Sequence, residues 1–199
     1  LYASDCCGFA AATGYYAGRK AAAASECYTY ESPDREEIEK EKSRLYAPLY
    51  VEDGMDWREL NKAISKAMQN YCGGVKNDML LAQGLELLES YEQEYLPRLS
   101  CTNPHELMRA HEVMDILEVC KLIINACLLR KSSSVPLCFE RSDYPKLDPE
   151  EDNCFITIWQ EEGKIRSRRV AKDYYGDVKI QYEAHNQDYK EEAVSYEES

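Results

Sequence analysis

The sequence lacks several features that would mark common classes of protein. None of its apolar runs reaches the roughly 20 residues needed to cross a bilayer, and Lys121 and Arg130 bracket the longest one. Basic residues are scarce, with 24 against 37 acidic ones, and the formal net charge is −13. This charge disfavours binding to nucleic acid or to an anionic membrane surface. We therefore expect a soluble protein that has no membrane span and binds no nucleic acid.

Motifs for metal and nucleotide sites are also missing. There is no C-x-x-C, no G-x-G-x-x-G and no P-loop, and no histidine stands near a cysteine or a carboxylate at a metal-ligand spacing. The segment Ser132–Ser134 lacks the glycines of a nucleophile elbow and is interpreted as a polar turn. We predict no metal site and no complete nucleotide-binding domain within these residues.

The chain opens on Leu1 rather than Met, and the residues near it lack the charged start and apolar middle of a signal peptide, so we expect an internal or C-terminal piece of a longer protein. Its nine cysteines are an odd number, and several fall on predicted buried helix faces. Both features favour free thiols in a reducing cytoplasm over a disulfide framework.

A long helix is the best-marked element. Asn103 suits an N-cap, Pro104 suits the first helical position, and Glu106 stands where a capping box needs an acid. The basic pair Arg130 and Lys131 follows, which is favourable at the negative end of a helix dipole. Apolar residues recur at helical spacing between these ends, and we expect this helix to be largely buried. Its predicted stripe comprises Leu107, Ala110, Met114, Leu117, Cys120, Ile124 and Cys127, widened by Val113, Ile116 and Ile123.

Two shorter helices precede it, one capped by Asp56 and one beginning near Asn77, and together they predict a three-helix bundle. A charged helix over residues 32–44 is expected to be a solvated connector. Beyond the bundle, segments 155–159 and 164–170 predict a β-hairpin, followed from Asp173 by an acidic, tyrosine-rich tail. The fold class is therefore mainly α.

The first 30 residues predict a strand, a loop and a helix. Leu1 to Ala3 form the strand end, the loop runs through Asp5 to Gly14, and residues 15–28 form an alanine-rich helix. From the residues alone, an ordinary strand-loop-helix capped by Thr13 explains this segment.

Two parts of the chain resemble the flavoproteins of the succinate dehydrogenase and fumarate reductase family. Arg130 with the serines after it, followed by R-S-D-Y-P from Arg141 to Pro145, resembles the family's R-x-E-S-R-G and R-x-D-x-P segments. Ser132 and Ser134 stand where the family has Glu and Arg. The first residues resemble L-Y-A-x-G-[DE] followed by G-R-x-A, with the glycine before Asp5 absent. In overall character the chain is most similar to the adenylylsulfate reductase α-subunit branch.

This resemblance implies three regions: residues 1–30 as the C-terminal end of an FAD-binding α/β domain, 31–131 as the helical bundle, and 132–199 as polar loop, hairpin and tail. It also implies FAD as cofactor. The carboxylate of Asp5 would accept from the ribityl hydroxyls, and the helix start at Thr13, Gly14, Tyr15 and Tyr16 would face the anionic edge of the reduced flavin.

The implied function is an FAD-dependent oxidoreductase that passes electrons between an iron–sulfur protein or subunit and a small-molecule substrate, with an N-terminal FAD domain completing the pocket. For Arg141 and Asp143, the resemblance implies an ion pair between domains first and a substrate role second. A non-catalytic helical module that binds another protein is the alternative.

Overall fold

The computed structural model describes residues 3–29, 32–161, 164–174, 176–177 and 179–184, with side chains from Cys6 onward. Contacts divide the chain into two units, residues 1–44 and 45–199. The helices and strands, in chain order, are α1 (Ala3–Glu26), α2 (Arg35–Tyr46), α3 (Trp57–Tyr71), β1 (Val75–Lys76), α4 (Asp78–Glu94), α5 (Pro104–Leu129), β2 (Glu140–Arg141), α6 (Pro149–Asp152), β3 (Cys154–Glu161) and β4 (Lys164–Ala171). Short 3₁₀ turns at Ala47–Tyr50 and Leu96–Arg98 precede α3 and follow α4.

The first unit begins with α1, where a strand and a loop were predicted. Leu1 and Tyr2 lie outside the described residues, but residues 3–14 are helical, so the predicted loop is wrong for this structure. The segment is rich in alanine, the strongest helix former. A glycine such as Gly8 or Gly14 costs only about 1 kcal/mol relative to alanine in a helix interior. From Cys6 onward every residue of α1 is exposed.

The starts of the bundle helices follow the predicted capping rules. The carboxylate of Asp56 accepts from the backbone of Arg58, and the side chain of Asn77 accepts from Leu80 at 2.8 Å. At the start of α5, Asn103 accepts from the backbone N–H of Glu106 at 3.0 Å. These caps satisfy backbone donors that a helix start leaves unpaired.

The core of the second unit lies where α3, α4 and α5 pack against one another in all three pairings. Leu60, Ile64, Leu81, Leu88 and Leu117 are each no more than 1% exposed. The three-helix bundle is thus confirmed.

The stripe of α5 is narrower than predicted. Val113 is buried, but Ile116 and Ile123 are 42% and 43% exposed, and Val119 is 52% exposed. These residues face away from α3 and α4 because the bundle covers only one side of the helix. One apolar side of α5 is therefore uncovered within the described residues.

Two small sheets complete the unit. Strand β1 pairs in parallel with β2, Val75 opposite Glu140, which brings the segment after α5 back to the junction of α3 and α4. The predicted hairpin is confirmed as β3 and β4, antiparallel from Cys154 opposite Ala171. The predicted tail lies mostly outside the described residues.

Candidate functional site

The most elaborate polar site of the second unit is a buried arginine at the end of α5. Arg141 in β2 is 0% exposed. Its Nε and Nη2 donate to the two carboxylate oxygens of Asp143 at 2.9 and 2.7 Å, and Nη2 also donates to Asp78 at 2.6 Å. Its Nη1 donates to the backbone carbonyls of Cys127 and Arg130 at 2.6 and 2.9 Å. Each nitrogen of the guanidinium therefore donates to the protein itself.

These contacts join three places that are distant in sequence. The carbonyls belong to the last turn of α5 and to Arg130, the residue that caps its end, where helical carbonyls have no partner within the helix. Asp78 is the first residue of α4, and its backbone N–H donates to Asp143 at 2.8 Å. We call Asp78, Lys131, Arg141 and Asp143 the arginine cluster. It fixes the C-terminal end of α5, the N-terminal end of α4 and the returning β2 segment to one another.

The charges of the arginine cluster stabilise one another. The hydrogen bonds from Arg141 hold the pKa of Asp143 well below its usual range. The pKa of Asp78 is also lowered, chiefly by Lys131, whose Nζ donates to both of its oxygens at 2.7 Å, and also by Arg141. Burial alone would lower the pKa of Arg141, but hydrogen bonds to Asp143 and Asp78 outweigh burial and the pKa is raised. Asp78, Asp143 and Arg141 therefore favour their ionised forms in the neutral range.

This geometry corrects the first expectation for Arg141. The predicted ion pair between domains is instead an ion pair within the second unit, because the carboxylates of both Asp78 and Asp143 belong to residues 45–199. The guanidinium is already saturated with internal acceptors. It has no N–H free to clamp an anionic substrate, so its role is to hold the fold around it.

The serines after α5 hold the loop that carries Arg141 through hydrogen bonds to its backbone. Ser133 Oγ accepts from the backbone N–H of Arg141 at 2.9 Å and donates to the carbonyl of Tyr144 at 2.7 Å. Ser132, fully buried, accepts from the backbone N–H of Asp148 at 2.9 Å. The predicted polar turn is thus a partly buried network in which hydroxyls satisfy backbone groups.

A second polar feature lies beside the arginine cluster. Arg130 has buried Nε and Nη2 atoms without a hydrogen bond in the described part of the chain. Its Nη2 lies 3.6 Å from the carboxylate of Asp152, which is too long for a hydrogen bond. A cavity of about 570 Å³ adjoins Arg130 and includes Asp152, Lys172 and Phe155 among its lining residues.

The predicted cofactor residues fall in the first unit. Thr13, Gly14, Tyr15 and Tyr16 lie in the middle of α1, and the backbone of Asp5 is helical there too. Thr13 Oγ1 donates to the carbonyl of Phe9 at 2.7 Å and caps no helix start. Because backbone N–H groups inside a helix are bonded to carbonyls four residues earlier, those of residues 13–16 are not free to face a flavin. The described residues of this unit do not form a flavin cradle by themselves.

Comparison with known proteins identifies the second unit. The sequence pattern of the fumarate reductase flavoprotein C-terminal region matches residues 61–192, well over half of the chain. The chain belongs to this family.

Solved structures of flavoprotein subunits share the family fold. Adenylylsulfate reductase from the hyperthermophile Archaeoglobus fulgidus superposes with a TM-score of 0.66 at 24% identity, over 71% of this chain and 25% of that one. Quinol fumarate reductase of E. coli gives 0.58 at 16% identity, over 71% and 26%. The Sdh1 complex of Mycobacterium smegmatis gives 0.56 at 18% identity, over 70% and 25%. No curated protein sequence matches. This flavoprotein C-terminal chain spans about a quarter of the length of those structures.

Sequence reasoning singled out Arg141 and Asp143 of this flavoprotein chain but missed Asp78 as their partner and Lys131 as the partner of Asp78. In the sequence, Asp78 was visible only as an aspartate at a predicted helix start. Lys131 was interpreted only as a positive charge that is favourable at the negative end of the helix dipole. Neither signal specifies a partner more than fifty residues away. Among the described residues, no group of three or more histidines, cysteines or carboxylates could hold a metal ion, and no helix is long and apolar enough to cross a membrane.

Proposed function

We propose that this chain is the C-terminal helical part of an FAD-dependent oxidoreductase subunit that passes electrons between an iron–sulfur partner and a small-molecule substrate in the cytoplasm. The observation that carries the proposal is the family match over residues 61–192. The flavoenzyme structures that share the fold extend over about four times the aligned length. All nine cysteines are free thiols, which fits a reducing compartment.

Two exposed surfaces support a larger assembly. In the first unit, α1 presents Phe9 and Tyr15 at 72% and 58% exposure, and Tyr28, just beyond the end of α1, is 75% exposed. In the second unit, α5 exposes the side of Ile116 and Ile123. The apolar residues on this side of α5 recur at helical spacing, and a contiguous apolar surface is rarely left open in a protein that works alone. In our proposal an N-terminal FAD domain and the iron–sulfur partner contact these surfaces.

The flavin, when bound, supplies the redox chemistry, and this chain supplies its positioning. We propose that Asp5, Thr13, Gly14, Tyr15 and Tyr16 contact it. In the helical conformation only their side chains are available, so a contact from Gly14 requires α1 to open there.

Two cations next to this segment support a flavin contact. Arg19 lies 5.7 Å from the ring centre of Tyr15, and Lys20 lies 5.6 Å from that of Tyr16. Positive charge favours the anion that a reduced flavin becomes.

The test of the function is a reductive titration of the native protein, isolated with an antibody against this sequence. We expect visible flavin absorption that bleaches on anaerobic addition of dithionite, and a co-purifying protein whose iron–sulfur signal appears in electron paramagnetic resonance. Isolated material with neither signal, but with another bound protein, would support the alternative of a non-catalytic interaction module.

The proposed cofactor residues are tested by flavin retention. Asp5→Ala removes one or two charge-assisted hydrogen bonds of about 1.5–3 kcal/mol each, so the variant should lose flavin on dialysis at least tenfold faster than the parent. Thr13→Ala is the matched control and should have a smaller effect, because Thr13 Oγ1 already donates within α1. Unchanged retention in the Asp5→Ala protein would remove Asp5 from the site.

A further inference from the structure

Two thiols meet where α3 ends against α5. Cys72 is the residue that follows α3, and Cys127 lies in the last turns of α5. Their Sγ atoms are 3.9 Å apart, although the residues are 55 positions apart in sequence. Cys127 is 8% exposed, whereas Cys72 is partly exposed. Cys72 is therefore the more accessible of the two residues, and the buried Cys127 lies in contact with it.

The packing of the bundle holds the pair together. Gly84 of α4 approaches so closely that a Cβ there would come within 2.6 Å of the Cβ of Tyr71 and 3.3 Å of Ile124. Tyr71 precedes Cys72, and Ile124 lies one helical turn before Cys127. The close contact of three helices thus sets the distance between the two sulfurs.

The surroundings of the pair suit a reactive thiol. The Cys127 thiol lowers the pKa of Cys72 to about 7 by hydrogen bonding; burial opposes this and Lys76 adds to it. The pKa of Cys127 is raised by its hydrogen bond with Cys72 and by burial. The thiolate is the attacking form of a cysteine. Cys72, with the lower pKa, therefore suits the role of the nucleophile, and Cys127 suits the role of the second, resolving thiol.

We propose that Cys72 and Cys127 form a peroxide-reactive thiol pair that closes to a reversible disulfide between α3 and α5. The thiolate of Cys72 attacks one oxygen of a hydroperoxide, its O–O bond breaks, and the other oxygen leaves as water or an alcohol after taking a proton. Cys72 is then a sulfenic acid. The sulfur of Cys127 attacks Cys72 Sγ, hydroxide leaves, and it becomes water with the proton of the Cys127 thiol. A dithiol reverses the reaction by exchange.

The closure needs little movement. A disulfide has its sulfurs about 2.0 Å apart, so the two must approach by about 1.9 Å from the observed 3.9 Å. Cys72 lies just beyond the regular part of α3 and is followed by Gly73 and Gly74, which lets its side chain turn. Arg141 holds the carbonyl of Cys127 at 2.6 Å, so the fixed partner is Cys127 and the moving one is Cys72.

The experiment uses the full chain with its four exposed cysteines, Cys6, Cys7, Cys27 and Cys138, replaced by serine. One equivalent of hydrogen peroxide is added to the folded chain and to the same chain in urea. The digest is then analysed by mass spectrometry. Trypsin places Cys72 in peptide 67–76, Cys127 in 122–130 and Cys120 in 110–121, so each disulfide gives a distinct linked pair.

We expect the linked pair 67–76 with 122–130 to form at least tenfold faster in the folded chain than in urea, and to disappear with dithiothreitol. Cys127→Ser should abolish it and leave a sulfenic acid on Cys72 that dimedone traps. Cys120→Ser is the matched control, because Cys120 is a buried thiol of the same helix, and it should leave the linked pair unchanged.

A second readout is thermal unfolding followed by tryptophan fluorescence, in which the oxidised parent should unfold at a higher temperature than its reduced form, and the Cys127→Ser variant should show no such shift. The proposal is overturned if peroxide links Cys72 to Cys120 instead, if the folded and unfolded chains react at the same rate, or if Cys72 stays reduced while another cysteine is oxidised.

Discussion

Replacing Arg141 with methionine tests how much the arginine cluster stabilises the bundle. Methionine keeps an apolar stem of similar length but removes every guanidinium donor. The carbonyls of Cys127 and Arg130 would lose their partner, and each stranded carbonyl costs about 1–3 kcal/mol. Asp78 and Asp143 are 45% and 28% exposed, so water can solvate them and their contribution is smaller. We expect a loss of about 3–5 kcal/mol, the range for removing one partner of a buried ion pair.

The assay is urea unfolding followed by the fluorescence of Trp57, which packs against the core of the second unit. Arg109→Met is the matched control, since Arg109 forms an exposed ion pair with Glu112 on the same helix α5. That pair should contribute no more than about 0.5 kcal/mol. If Arg141→Met lowers the free energy of unfolding by less than about 1 kcal/mol, or by the same amount as Arg109→Met, the arginine cluster does not stabilise the junction of α4, α5 and β2.

Four other predictions concern the bundle, α1 and the response to acid. Leu117→Ala should cost about 2–5 kcal/mol in urea unfolding, because Leu117 is 1% exposed and leaves a cavity; a loss under about 0.5 kcal/mol would contradict its core position. Gly84→Ala should destabilise the bundle by about 1–3 kcal/mol, since its Cβ would come within 2.6 Å of Tyr71, whereas Gly14→Ala meets nothing within 4 Å. The Gly14 change should raise helicity by circular dichroism, as a loop at Gly14 would not. Because Arg141 depresses the pKa of Asp143, the ionised carboxylate stabilises the fold above its unfolded pKa of about 4, and this stabilisation is lost as the pH falls below that value toward the folded pKa. As the pH is lowered below about 4, the urea concentration at the unfolding midpoint should therefore decrease in the parent, and it should decrease less steeply in Asp143→Asn. Parallel plots of midpoint against pH for the two proteins would refute the assignment.

Local signals predicted the second unit well. The caps at Asp56, Asn77 and Asn103 depend on side chains within three residues of the helix start, and the stripe through Leu117 depends on helical spacing alone. Both the caps and the stripe can therefore be recognised in the sequence without knowledge of the packing. The hairpin was equally visible, because alternation and a turn are local properties.

Contacts between distant segments could not be predicted in the same way. The parallel pairing of β1 with β2 and the approach of Cys72 to Cys127 join segments more than fifty residues apart, which meet only when the helices pack. The partners of Arg141 follow from the same packing, so its sequence motif indicated a role but gave no acceptors. At α1 a local signal was available but was not followed. The resemblance to a flavin loop was preferred to the strong helix propensity of the alanines around Gly14, and the loop prediction was wrong.

In our proposal this chain is the C-terminal helical part of a longer flavoprotein. The intact mass of the native polypeptide that carries this sequence, measured together with its visible absorption spectrum, tests this. We predict a polypeptide several times heavier than the 22.9 kDa of these 199 residues, or a tight complex with a separate FAD-binding chain, with flavin in stoichiometric amount. A native species of 22.9 kDa with no flavin and no flavoprotein partner would contradict the claim.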